Sequence, residues 1–146
     1  MPNWCSVSIL ATLPDTSSVE KCSQFFKNET DGINYREDTD DVDHKNNIYC
    51  SFGESRWALD DMDVEMIVDR LKEFGCAYAK FESYEPSMQI YDVYTFADDK
   101  INVKSLNPED WPTCDDEDVD DADACDHVYE ACRRLLPEKG VTEEVR

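Results

Sequence analysis

An α+β fold, with helices set against one face of a mainly antiparallel sheet, is what this sequence predicts, on three observations. Residues 4–13 (WCSVSILATL) alternate, with Cys5, Val7, Ile9 and Ala11 on one side and Ser6 and Ser8 on the other; that is a half-buried strand. Two later stretches carry apolar residues at helical spacing. Residues 76–84 (CAYAKFESY) and 88–96 (MQIYDVYTF) are neighbouring aromatic and β-branched runs, the composition of paired strands.

The elements follow in order. Pro14 ends the first strand. Ser17 and Glu20 have the spacing of a capping box, and Val19, Cys22, Phe25 and Phe26 continue as a helix over about 17–28. Residues 29–46 hold seven acids and one glycine without apolar periodicity, so they read as a solvated loop, with a short strand at Ile33 and Tyr35 as the alternative. Residues 47–57 (NIYCSFGESRW) read as a strand with Gly53 as the candidate bulge. Asp60 and Asp61 open a second helix, Met62, Met66, Ile67, Leu71 and Phe74 give its 3.6 period, and Gly75 is placed as its C′ residue. Glu85-Pro86-Ser87 joins the two aromatic strands into a hairpin. Residues 105–124 are acidic, with two prolines and Trp111. A last helix is predicted over about 122–136, with Val128, Ala131, Cys132 and Leu135 in phase and Pro137 and Gly140 ending it. Its Asp-rich start and its Arg133-Arg134 end suit the helix dipole.

A ferredoxin-like sandwich accommodates this order over 1–104, with 105–146 as an acidic segment and C-terminal helix packed on it or extending from it. The 146 residues are about one domain's worth. The N-terminus lacks the basic and apolar regions of a signal peptide, and no apolar run is long enough for a membrane span. A soluble, intracellular protein is expected. Seven cysteines at irregular spacings then read as reduced thiols, several of them small core hydrophobes.

Charge is the strongest functional signal. Thirty-five Asp and Glu against fourteen Lys and Arg give a net charge of −21. Ten of the eighteen residues from Glu109 to Asp126 are acids and none is basic. Such a field repels nucleic acid and anionic membrane and draws the protein to basic surfaces, which proteins present chiefly where they bind nucleic acid. A domain of this size is about 30 Å across, and duplex DNA of that length carries roughly 18 charges. The load therefore matches that of a nucleic-acid decoy in magnitude.

Chemical motifs are otherwise sparse. Cys114, Cys125, His127 and Cys132 lack the paired two- to four-residue spacing of a structural zinc site, and seven-residue spacing on a helix explains Cys125 and Cys132 as core. The Asp-rich runs lack the Gly and Glu positions of a calcium-binding EF-hand loop. His44 and His127 have no partnered nucleophile, and the four glycines make no phosphate loop. No catalytic residue, metal or cofactor is assigned.

The opening Met1-Pro2-Asn3-Trp4-Cys5, running straight into a strand, resembles the YubB-like family of small phage- and plasmid-encoded proteins with a ferredoxin-like domain. Ser51 to Trp57 (SFGESRW) and the Tyr84-Glu85-Pro86-Ser87 turn are similar to that family's aromatic-x-Ser/Thr-x-Trp segment and its Tyr-x-Glu-Pro-Gly-type turn. Ala58-Leu59-Asp60 stand where the family has prolines, and Ser87 replaces its glycine. The resemblance spans roughly 1–97 and leaves the acidic tail outside it. It implies a fold and a mobile-element origin rather than a reaction.

Together these readings lead to a non-enzymatic anti-defence protein in the host cytoplasm. It would inhibit a basic nucleic-acid-binding complex (a CRISPR effector, a restriction enzyme or another nuclease) by acidic mimicry. The candidate contacts are Asp115, Asp116, Glu117, Asp118, Asp120, Asp121 and Asp123, with Asp38, Asp40, Asp41 and Asp43 as a second patch. Trp111 is a candidate anchor; docking the tail on the sheet explains it equally well. Direct nucleic-acid or membrane binding is not expected, and oligomeric state, a dimer included, is left open. The alternatives are an inhibitor or adaptor that binds through a sheet edge or the aromatic hairpin, with the acids only solubilising, and a small enzyme with a carboxylate site.

Overall fold

The strand-forming segments pair into one sheet, described by a computed structural model over residues 4–112 and 121–146, with the backbone alone over 121–127. In chain order the elements are β1 (Trp4–Thr12), α1 (Thr16–Asn28), β2 (Arg36–Asp43), β3 (Ile48–Arg56), α2 (Asp61–Glu73), β4 (Tyr78–Glu85), β5 (Ile90–Ala97), β6 (Lys100–Ser105), α3 (Asp121–Lys139) and β7 (Val141–Glu144). The sheet runs β2-β3-β1-β4-β5-β6-β7, and each ladder is antiparallel. The fold is therefore α+β with a seven-stranded antiparallel sheet and three helices.

β1 lies in the middle of the first four strands, and its alternation organises the core. Val7, Ile9 and Ala11 are buried under α1 and α2, whose Cys22, Phe25, Phe26, Val64, Ile67 and Leu71 face them. Phe26 stacks on Tyr49 of β3, with ring centroids 5.6 Å apart and planes 6° apart. Burying each such side chain stabilises the fold by about 1.5–3 kcal/mol, so this face supplies most of the stability.

β5 is apolar on both faces. Phe81, Tyr94 and Phe96 turn toward α1 and α2, while Tyr91 and Val93 turn away. A strand buried on both sides needs a cover on both. That is why α3 packs on the opposite face, its Cys132 and Leu136 closing over Tyr91, Val93 and Leu106. α1 and α2 thus share one face of the sheet, and α3, the C-terminal helix expected to pack on the domain or extend from it, packs on the other.

Three local readings are corrected. Residues 36–43 are a strand, not a loop: β2 forms a hairpin with β3, and a sheet edge tolerates charged residues that an inner strand would not. The turn is held by Asp43, whose Oδ1 accepts from the backbone N–H of Lys45 and Asn46, both at 3.1 Å. The N-cap of α1 is Asp15 rather than a Ser17 box; its carboxylate accepts from the Ser18 N–H at 2.8 Å. The capping box is found instead on α2, between Asp60 and Asp63. Pro137 sits inside α3, which runs on until Gly140 donates to the Leu136 carbonyl at 2.9 Å. The proline removes one N–H bond and crowds the carbonyl one turn before it, and the helix stops within three residues. β6 and β7 have no clear mark in the sequence. β7 pairs with β6 as a short, wholly exposed edge.

Candidate interaction surface

The acids of β2 form an exposed row along one edge of the sheet. Glu37, Asp38, Asp40, Asp41 and Asp43 fall within eight residues. At about 3.3 Å per residue the strand is roughly 26 Å long, which is one carboxylate per about 5 Å. One strand of a DNA duplex carries one charge per about 3.4 Å, so the linear densities are of the same order.

These carboxylates are not equivalent. Glu37 and Asp40 turn toward the helices. Glu37 accepts from the Tyr49 and Ser51 hydroxyls at 2.8 Å, and Asp40 pairs with Lys27 at 3.0 Å. The Lys27 ammonium, foremost, holds the Asp40 carboxyl below its ordinary value. Asp43 is committed to its turn, and the Asn46 side chain leads the hydrogen bonds that hold its carboxyl low. Asp38 reaches only Arg36, at 3.8 Å, in a well-exposed pair that contributes little. Asp38 and Asp41 are therefore the carboxylates of the predicted patch least engaged within the fold.

Asp38 is placed by a β-bulge. The register between β2 and β3 shifts between Glu37 and Thr39, opposite Gly53 and Phe52. A Cβ at residue 53 would lie 2.0 Å from the Arg36 carbonyl oxygen, so only glycine lets the two strands approach this closely. The bulge sits on β2, with Gly53 as the residue that admits it. It turns Asp38 and Thr39 to the same side, away from α1 and α2 and into a cleft.

That cleft, of about 390 Å³, lies between the open half of the sheet and α3. Ser6 and Ser8 of β1 and Phe52 of β3 line it, Phe52 being 43% exposed. Glu82 and Tyr84 of β4 and Tyr129 of α3 line it also. Glu82 is only 8% exposed. Its carboxylate accepts from the Tyr91 hydroxyl at 2.6 Å, from the Tyr129 hydroxyl, and at 3.4 Å from Ser8. Burial, and next the Glu82 carboxylate, push both tyrosine hydroxyls above their ordinary range.

Of the predicted contacts, Asp115, Asp116, Glu117, Asp118 and Asp120 lie outside the described residues. Asp121 and Asp123 belong to the first turns of α3, where the backbone alone is described. Trp111 stacks on Tyr84, with centroids 6.2 Å and planes 12° apart, and joins the cluster under α3. It ties the segment after β6 to the sheet. Of the cysteine–histidine set, Cys114 lies outside the described residues, and the side chains of Cys125 and His127 are not described. Cys132 is buried core. Among the described residues no three His, Cys, Asp or Glu side chains are grouped to hold a metal ion.

A second exposed region lies at one end of the sheet. Trp57 and Met62 are 47% and 68% exposed and line a cleft with Ile90 and Tyr94, rimmed by Asp60 and Asp61. Tyr94 donates to Asp61 at 2.7 Å. The hairpin aromatics Phe81, Tyr91, Tyr94 and Phe96 are buried, so the hairpin offers mainly Tyr78, Tyr84 and Met88 to a partner.

Sequence reasoning missed Glu82, Ser6, Ser8, Phe52 and Tyr129 as neighbours. One signal was present: Glu82 and Asp92 are the only acids in the segments 4–13, 76–84 and 88–96. Both are held largely out of solvent: Glu82 is buried, and burial pushes the Asp92 carboxyl above its ordinary value. Compared with protein-family models, with curated proteins and with solved structures, the chain has no match. Among the described residues no helix is long and apolar enough to cross a membrane.

Proposed function

We propose that this chain is a non-enzymatic inhibitor that occupies the basic nucleic-acid site of a host protein, as an anti-defence product of a phage or plasmid acting in the host cytoplasm. The observation that carries the reading is the acidic edge strand, whose charge spacing is of the same order as that of a nucleic-acid strand. Lys27 and Arg36 face Asp40 and Asp38 of this edge, and the chain as a whole still carries a net charge of −21. A CRISPR effector, a restriction enzyme or another nuclease has the required basic channel. The segment from Asp115 to Asp123 adds to the same field.

The ferredoxin-like and YubB-like readings belong to this proposal. They are supported by the succession β1-α1-β2-β3-α2-β4 with spatial order β2-β3-β1-β4. On this reading β5, β6, β7 and α3 are additions that widen the sheet and cover its second face.

The test is capture from host lysate at low salt, followed by elution with duplex DNA or RNA. A nucleic-acid-binding protein released by either, and by rising salt, is the expected result. Retention of partners that neither nucleic acid nor salt displaces would refute mimicry. That result would favour a second reading, an inhibitor or adaptor docking through Trp57 and Met62, whose exposure is the observation behind it.

A further inference from the structure

We propose that the cleft between α3 and the open half of the sheet is a receptor for a guanidinium group, the head of an arginine side chain. The inference deepens the reading of the chain as a binder of basic surfaces, and rests on it for the source of the arginine.

The lining fits a planar cation. Among the described residues Asp38 and Glu82 are its only charged ones, and both are acids. Ser6, Ser8 and Thr39 contribute hydroxyl oxygens. Phe52 and Tyr84 contribute aromatic rings, against which a guanidinium stacks better than an ammonium does. The volume of about 390 Å³ is at the small end of ligand pockets, the scale of one side chain rather than of a folded segment. An anion is excluded by the two carboxylates, and a nucleobase on its phosphate backbone by the net charge of −21.

Two features show that the site is built. The first is the bulge, which spends a ladder position and requires Gly53, and which sends Asp38 into the cleft instead of along the edge. Bulges re-aim side chains in this way beside functional sites. The second is Glu82. Its carboxylate is kept in the cleft wall with three hydroxyl donors and no cation of its own chain within ion-pair distance among the described residues. An ionised carboxylate offers about four acceptor positions, so one remains for a charged N–H donor. Charge-assisted bonds to a partly buried carboxylate are about twice as strong as neutral ones.

The test is an NMR titration of the isotope-labelled full chain with N-acetyl-arginine amide in about 0.3 M NaCl, where exposed charges are screened beyond about 6 Å. Amide shifts confined to Ser6, Ser8, Thr39, Phe52 and their neighbours are expected. Asp38→Asn and Phe52→Ala should each weaken binding by about tenfold, while Asp41→Asn, on the same strand but outside the cleft, should change it less than about twofold. Shifts spread over all the acids, or equal weakening by Asp41→Asn, would overturn the site. Equal binding of N-acetyl-lysine amide would overturn the guanidinium assignment. A parallel titration with agmatine and with an arginine-centred heptapeptide separates the sources: tighter peptide binding supports a protein-borne arginine, and tighter agmatine binding overturns it in favour of a small ligand. If cleft binding fails while nucleic acid still displaces a captured partner, this inference falls and mimicry stands; the reverse pattern would sink mimicry alone.

Discussion

The two faces of the sheet differ in how completely they are closed. On one, α1 and α2 lie over β1, β3, β4 and β5, and the cluster they bury contains Phe25, Phe26, Tyr49 and Phe81. On the other, α3 covers β4, β5 and Leu106 just beyond β6. Ser6, Ser8, Thr39, Asp41 and Phe52 are left as polar or exposed floor beside the acidic edge. The first face is closed over an apolar cluster and stabilises the molecule. The second has carboxylates, hydroxyls and an exposed phenyl ring arranged around a cleft. Stability and binding are thus assigned to opposite sides of the same strands, and substitutions should separate them.

The largest effect should come from the closed face. Phe81→Ala, at a fully buried position of β4, is expected to cost about 3–5 kcal/mol, read as a lower urea midpoint. A cost below about 1 kcal/mol would mean that this face is not the main core. Next comes Leu136→Ala under α3, with about 2–3 kcal/mol expected. Here amide exchange should accelerate in α3 while α1 and α2 stay protected; uniform acceleration would show that the two faces unfold as one unit. Gly53→Ala places a methyl group on the Arg36 carbonyl and should cost about 1–3 kcal/mol, with β2 amides exchanging fastest.

High pH should loosen both faces together. Burial, with Asp92 and Glu85 adding, raises the Cys5 thiol from 9.0 to about 12. Burial first, and then a neighbouring carboxylate, also raises Tyr91 and Tyr94. A group whose value is higher in the folded state contributes stability that is complete below its unfolded value and is lost as pH rises toward the folded one. The melting temperature should therefore fall as pH rises from about 9 toward 12. A flat profile there would contradict the burial of these groups. The smallest effect is expected at the open floor. Phe52→Ala and Asp41→Asn should each leave stability within about 0.5 kcal/mol, with guanidinium binding weakened by the first and kept by the second.

Much of the closed face was legible in the sequence. The alternation of β1, the spacing of Ile67 and Leu71, and the Asp60 start and Gly75 stop of α2 are local signals that survive folding; Met62 and Met66, read on the same apolar face, are instead exposed, and Val64 and Val68 are buried beside Ile67 and Leu71. β2 was not legible, because its residues have low strand propensity; its pairing with β3 and its edge position decide its conformation. β7 is decided by pairing with β6 in the same way. The second face was half legible. IYDVYTFA is apolar on both sides, which already demanded a second cover. The cleft was not legible, since Ser6, Asp38, Phe52, Glu82 and Tyr129 come from five separate elements, and only topology and the bulge bring them together.

The most direct test of the central claim is competition on a captured, nucleic-acid-binding target. Asp38, Asp41 and Asp43 are neutralised to Asn in one variant, and Trp57 and Met62 are cut to Ala in another. The account predicts that the first loses most of its ability to displace nucleic acid from the target, with a shallower dependence on salt, and that the second keeps it. Undiminished displacement by the first variant together with loss in the second would contradict it.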